Sequence, residues 1–170
     1  MKYLLLGLVM LVVATTAVAN NDRDAVSQTL NALHHNASIA DFEQYFGLYH
    51  DSAIFIGTDA SEVWTKEAFK AYAKPHFDKG RGWTYHPRDR HIYFSPNHNV
   101  AWFDELLDNE SLGETRGTGV LIKEGTKWKV TQYHLTIPIP NALADSVAKQ
   151  IKPCNKKSPD VTGPLFLFRS

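Results

Sequence analysis

Residues 100–137, VAWFDELLDNESLGETRGTGVLIKEGTKWKVTQYHLTI, decide the fold. Apolar and polar residues alternate in three runs, Val100 to Leu107, Thr115 to Lys123 and Trp128 to Ile137, which is the period of a half-buried strand. Asn109 to Gly113 carries turn formers between the first two runs, and Glu124-Gly125 makes a tight hairpin turn between the last two. Strands joined this closely must be antiparallel. Upstream, Trp83 to His86 and His91 to Phe94 read as two further strands, separated by Pro87 and Asp89 and followed by a turn at Pro96-Asn97.

Before Trp83 the period changes. Asp22 to Ala37 places Val26, Leu30, Leu33 and Ala37 on one helical stripe, with Arg23, Asp24, Gln28 and Asn31 around the rest. Asp41 caps a second, shorter helix through about Tyr49, and a short strand from Ala53 to Ile56 ends at Gly57. Thr65 opens a third helix with Phe69, Tyr72, Ala73, His76 and Phe77 on one face, and Gly80 stops it. Helices first and strands afterwards, without βαβ alternation, give an α+β fold: a curved antiparallel sheet wrapped by N-terminal helices around a pocket. After Pro138 and Pro140 the pattern allows a short helix from Asn141 to about Ile151.

The two ends read differently. Lys2, the apolar run Leu4 to Ala14 and Ala17-Val18-Ala19 make a signal peptide over residues 1–19, too short to span a bilayer, so a periplasmic or secreted product without stable membrane insertion is expected. The domain then covers 20–151, and 152–170 reads as a flexible tail whose Leu165-Phe166-Leu167-Phe168 is a candidate docking strand. Lys and Arg number 18, including Lys2, against 18 Asp and Glu, with no block of one sign; nothing points to nucleic acid. Cys154 is the only cysteine, so no internal disulfide forms. Metal-ligand spacings, Gly-rich phosphate loops and nucleophile elbows are lacking, and no cofactor is implied.

Function in such a fold comes from polar groups turned into the concave side. Strict alternation puts Trp128, Val130, Gln132 and His134 on a buried row, opposite Lys127, Lys129, Thr131 and Tyr133. The strand at 100–107 carries Glu105 on one face and Asp104 on the other, each amid aromatics. His134, Glu105 and Asp104 are therefore the candidate catalytic groups. A symmetric hairpin places Glu105 opposite Arg116, either as a staple or as part of a site. Asp59, Trp64, Trp83, Trp102, Arg116 and Gln132 form the candidate ligand-binding set. Each also has a structural reading: turn, cap, hairpin pair or packing.

The segments Phe55 to Trp64, Gly80 to Tyr85, Ala101 to Glu105, Arg116 to Leu121 and Trp128 to Asn141 resemble the SnoaL-like branch of the nuclear-transport-factor-two-like superfamily. That resemblance implies a cone-shaped α+β barrel, shared with ketosteroid isomerases, scytalone dehydratase and limonene epoxide hydrolase. It also implies a homodimer on the outer sheet face and a small apolar or carbonyl-containing ligand. For chemistry it implies cofactor-independent acid–base catalysis of the isomerase, cyclase or dehydratase kind, or a binding or assembly role without catalysis.

Overall fold

The computed structural model describes residues 21–154; the leader segment 1–19 and the Leu165 to Phe168 run lie outside the described residues. Helix α1 occupies residues 21–38 and buries the stripe expected of it, Val26, Leu30, Leu33 and Ala37. Asp41 caps α2 (Phe42–Gly47), accepting from the Gln44 amide at 3.1 Å. A six-residue helix has little stability of its own; buried Tyr45 and Phe46 anchor this one in the aromatic core. β1 (Tyr49–Ile56) and β2 (Val63–Thr65) follow, and the Thr65 hydroxyl caps α3 (Lys66–Phe77) by accepting from Ala68. The remaining strands are β3 (His86–Phe94), β4 (Val100–Asn109), β5 (Gly113–Glu124) and β6 (Lys127–Thr136). A 3-10 turn, Asn141–Leu143, leads into α4 (Ala144–Cys154).

The six strands form one curved, unclosed sheet in the order β2-β1-β6-β5-β4-β3. All neighbours run antiparallel except β1, which lies parallel to β6. α3 packs on the β1–β2 side, where Phe69 stacks on Phe55 at 4.0 Å and on Trp83 at 5.8 Å.

Several boundaries differ from the sequence reading, each for a local reason. β1 begins at Tyr49 because a register shift before Ile54 accommodates the polar His50-Asp51-Ser52 without breaking the strand. β3 is one strand, not two: Asp89 takes a φ of 48° and the pairing slips between Arg88 and His91, so an extra residue bulges where a break was expected. Trp83 and Tyr85 lie in the coil before it, both buried. α4 continues through Cys154, so Lys152 and Pro153 are helical rather than tail.

Close approach explains the bare edge of β5. A Cβ on Gly119 would lie 2.3 Å from the Gln132 carbonyl oxygen and 2.8 Å from the Phe103 ring, and a backbone neighbour cannot step aside. Gly119→Ala is expected to cost about 1–3 kcal/mol, read as a fall in thermal midpoint. Gly47→Ala, with nothing within 4 Å, should leave the midpoint unchanged or raise it slightly.

Candidate functional site

The site begins with register. β4 turns Ala101, Phe103, Glu105 and Leu107 inward, and Glu105 is fully buried. The turn sets Asn109 opposite Gly113, which places Gly117, not Arg116, across from Glu105. Arg116 pairs with Leu106 on the outer face and is exposed. The partner expected for Glu105 is thus the wrong one by a single register step.

Two other residues hold the carboxylate. Arg90 Nε donates to Oε2 at 2.6 Å, and His34 Nε2 lies 2.6 Å from Oε1. Arg90 is itself fixed by Nη1, which donates to the Ser27 carbonyl and hydroxyl at 3.1 Å and to Asn31 Oδ1 at 2.8 Å. A carboxylate engaged by a guanidinium can only accept from the imidazole, so it is Nε2 that carries a proton in this contact. His34 also lines the interior cavity.

That cavity lies between His34, Tyr45, Phe55, Trp83, Tyr85 and Tyr133. Its free centre measures about 10 Å³, room for roughly one water. The phenols around it are hard to ionise. Burial, reinforced by the nearby Glu105 carboxylate, holds Tyr133 well above its usual range; burial alone pushes Tyr85 up to about 12. Burial and a 2.8 Å hydrogen bond with the Tyr49 hydroxyl raise Tyr45 as well. Tyr133 reaches its place because Gly117 has no side chain: a Cβ there would sit 2.5 Å from the phenol oxygen. The interior therefore combines a braced imidazole with neutral hydroxyl donors in an aromatic shell.

The sequence-derived candidates separate into two groups. Glu105 and Trp83 belong to the interior. His134 and Gln132 do not: the β5–β6 pairing slips between Val120 and Leu121, leaving Thr131 as an extra residue that reverses the alternation. Tyr133 and Leu135 consequently point in, Gln132 is exposed, and His134 is half-buried on the outer face. Asp104 also faces outward, 3.2 Å from His91 Nδ1, and Trp102 is 45% exposed, stacked on Tyr93. Asp59 sits in an exposed turn, accepting from the Ser61 amide and hydroxyl, which lowers its carboxyl below the usual range. Trp64 packs edge-on against Tyr72 and Phe69, apart from the cavity.

His34, Arg90 and Tyr133 are the residues that sequence reasoning missed, and each carried a signal. His34 is four residues after Leu30 and three before Ala37, hence on the buried stripe of α1. Arg90 shares a face with Ile92 once the bulge at Asp89 is allowed. Tyr133 and Leu135 resume the apolar period one step out of phase with Trp128 and Val130.

A curved, unclosed sheet with helices packed on it places the protein in the class of cone-shaped α+β folds. The sequence profile of the SnoaL-like domain matches residues 26–140, and the chain belongs to that family. No curated protein matches it. Solved structures share the fold at low identity. A provisional scytalone dehydratase from Novosphingobium aromaticivorans superposes with a TM-score of 0.62 at 12% identity, over 73% of this chain and 89% of that one. A provisional dehydratase of the NTF2-like family from Streptomyces avermitilis gives 0.62 at 12%, over 72% and 99%. An NTF2-like protein from Cytophaga hutchinsonii gives 0.58 at 21%, over 68% and 98%.

Proposed function

We infer that this SnoaL-like protein is an exported enzyme that moves a proton on a small apolar carbonyl or hydroxy compound without a cofactor, as an isomerase, cyclase or dehydratase does. The observation that carries this reading is the His34–Glu105–Arg90 chain at the edge of the aromatic cavity. Glu105, held by Arg90, orients His34 so that Nδ1 is the base, and a neutral Tyr133 or Tyr85 hydroxyl donates to the oxygen where charge develops. The leader at 1–19 supports a periplasmic or secreted site of action; N-terminal sequencing of the cellular protein should begin at Asn20.

In a turnover screen of small carbonyl and hydroxy compounds, His34→Ala should lower the rate by about 10²-fold or more in a protein that keeps the parent's circular dichroism but melts lower, because a buried Glu105 oxygen loses its donor at a cost of about 1–3 kcal/mol. Unchanged turnover in that variant removes His34 as the base.

One observation favours a second reading, a pocket that binds without catalysis: Glu105 is fully buried and already paired with both Arg90 and His34, as a purely structural cluster would be. Native mass spectrometry of protein from its own compartment separates the two. A small molecule retained equally by parent and His34→Ala, with no turnover by either, supports the binding module.

A further inference from the structure

A groove of about 470 Å³ opens between α1, the junction of α2 with β1, and the start of β6. It shares no lining residue with the aromatic cavity, and its size is that of a small-molecule site. Ala25, Thr29 and Ala32, at i, i+4 and i+7 on one face of α1, form one wall, and their short side chains leave the space open. The other wall is a free sheet edge. β1 joins β6 only from Val130 onward, whose amide donates to the Leu48 carbonyl, so Lys127, Trp128 and Lys129 border the groove instead of a strand.

The polar side chains on this edge are donors. Trp128 is 3% exposed, yet its indole Nε1, which can only donate, is buried with no hydrogen-bond partner among the described residues. Phe94 packs edge-on against the indole and the Lys123 ammonium lies 5.7 Å from its ring centre, which fixes it in place. A buried donor left unpaired costs about 1–3 kcal/mol, so an incoming acceptor is favoured there. Lys127 is exposed and has no ion pair among the described residues; Glu124, its Cα partner across the hairpin, is engaged by His50 Nε2 at 3.0 Å instead. Lys129 Nζ donates one proton to the Gly47 carbonyl and keeps two. Against these donors stand only the Thr29 hydroxyl and the amides of Gln28 and Gln44 as side-chain acceptors, and no Asp or Glu is among the described residues that line the groove.

We propose that this groove binds a small soluble ligand carrying a carboxylate or phosphate group, with the anion on Lys127 and Lys129 and a second acceptor atom of the ligand on the Trp128 indole. Side chains two apart on a strand leave the same face about 7 Å from each other, a spacing at which two ammoniums bracket one anionic group. Trp128 leaves the opposite face, and the groove follows the open edge where the two faces meet; Lys129 already bends across that edge to reach Gly47. Exposed lysines alone hold an anion weakly. The buried indole donor beside them is what makes this edge a site.

NMR of the indole N–H groups tests the proposal. The chain has four tryptophans, and Trp128→Phe identifies the signal that belongs to residue 128. At constant ionic strength, glycerol 3-phosphate or succinate in the millimolar range should shift that signal saturably, and the probe that binds more tightly names the anion. Lys127→Gln, which has no partner to lose, should weaken binding severalfold, and Lys127→Gln/Lys129→Gln by about tenfold or more, both with the parent's circular dichroism. His34→Ala should leave the titration unchanged, so this site and the acid–base reading of the cone stand or fail separately. A shift that does not saturate, that sodium chloride reproduces, or that is equal in the double variant overturns the proposal. So does equal affinity for neutral glycerol, or binding seen only with phosphatidylglycerol vesicles, which would assign the lysines to a membrane surface.

Discussion

Glu105→Gln is expected to destabilise the fold by about 3–5 kcal/mol, because it removes the one carboxylate that balances Arg90 inside the cone. Glu105 is fully buried and Arg90 is 12% exposed, so water cannot substitute for the lost charge. The amide can still accept from one donor, but it leaves the guanidinium uncompensated and His34 Nε2 with a weaker partner. Arg90 Nη2 is already buried with no hydrogen-bond partner among the described residues, which leaves no spare acceptor there to take up the strain. For a domain of this size the loss corresponds to a fall in thermal midpoint of roughly 10–20 °C. The double variant Glu105→Leu/Arg90→Leu should recover at least half of it, since a buried pair replaced by apolar groups is often neutral or stabilising. A midpoint for Glu105→Gln within about 2 °C of the parent, well under the shift from 1 kcal/mol, would show that the carboxylate is not the keystone described. Turnover separates structure from chemistry: the double variant should fold yet lack activity, because His34 loses the group that sets its tautomer.

Most of the fold was legible in the sequence, while about half of the site was not, and the division has a physical cause. Helical stripes and hairpin turns are local, so Val26 to Ala37, the Asp41 and Thr65 caps and the β4–β5–β6 meander could be read from neighbouring residues alone. Which face a strand residue occupies is also local until a bulge intervenes, and three of the strands that shape the interior carry one. The extra residue at Thr131 moved His134 and Gln132 outward and Tyr133 inward; the one at Asp89 turned Arg90 inward beside Ile92. Register across a turn is finer still: one step separates Gly117 from Arg116 as the neighbour of Glu105. The pairing of Glu105 with His34 and Arg90 joins residues 71 and 15 positions away, and no spacing in the chain announces it. Glu105 itself was legible because its strand keeps an unbroken period.

Between about pH 11 and pH 12 the protein should unfold cooperatively, driven by its own tyrosines. Burial raises the phenols of Tyr45, Tyr49, Tyr85 and Tyr133, with Tyr85 reaching about 12. A group whose folded-state pKa lies above its unfolded value contributes stability in full below the unfolded value, about 10 for tyrosine, and loses it as the pH climbs through the folded value. Above pH 10 the unfolded chain releases these protons and the native chain retains them, so stability falls by up to roughly 1.4 kcal/mol per pH unit for each of the four buried phenols. Tyr72, also raised to about 12 by burial and the nearby Glu62, adds less because it is only half-buried and water screens it. Two units of pH then remove up to about 11 kcal/mol, enough to consume a stability in the lower or middle part of the ordinary 5–15 kcal/mol range. Phenolate absorbance at alkaline pH should rise abruptly and together with the loss of circular dichroism. A gradual rise centred near pH 10 in a chain that keeps its native spectrum would mean that the interior admits water. The donors proposed to face a ligand would then not be held neutral by burial, and the acid–base reading of the cone would lose its electrostatic basis.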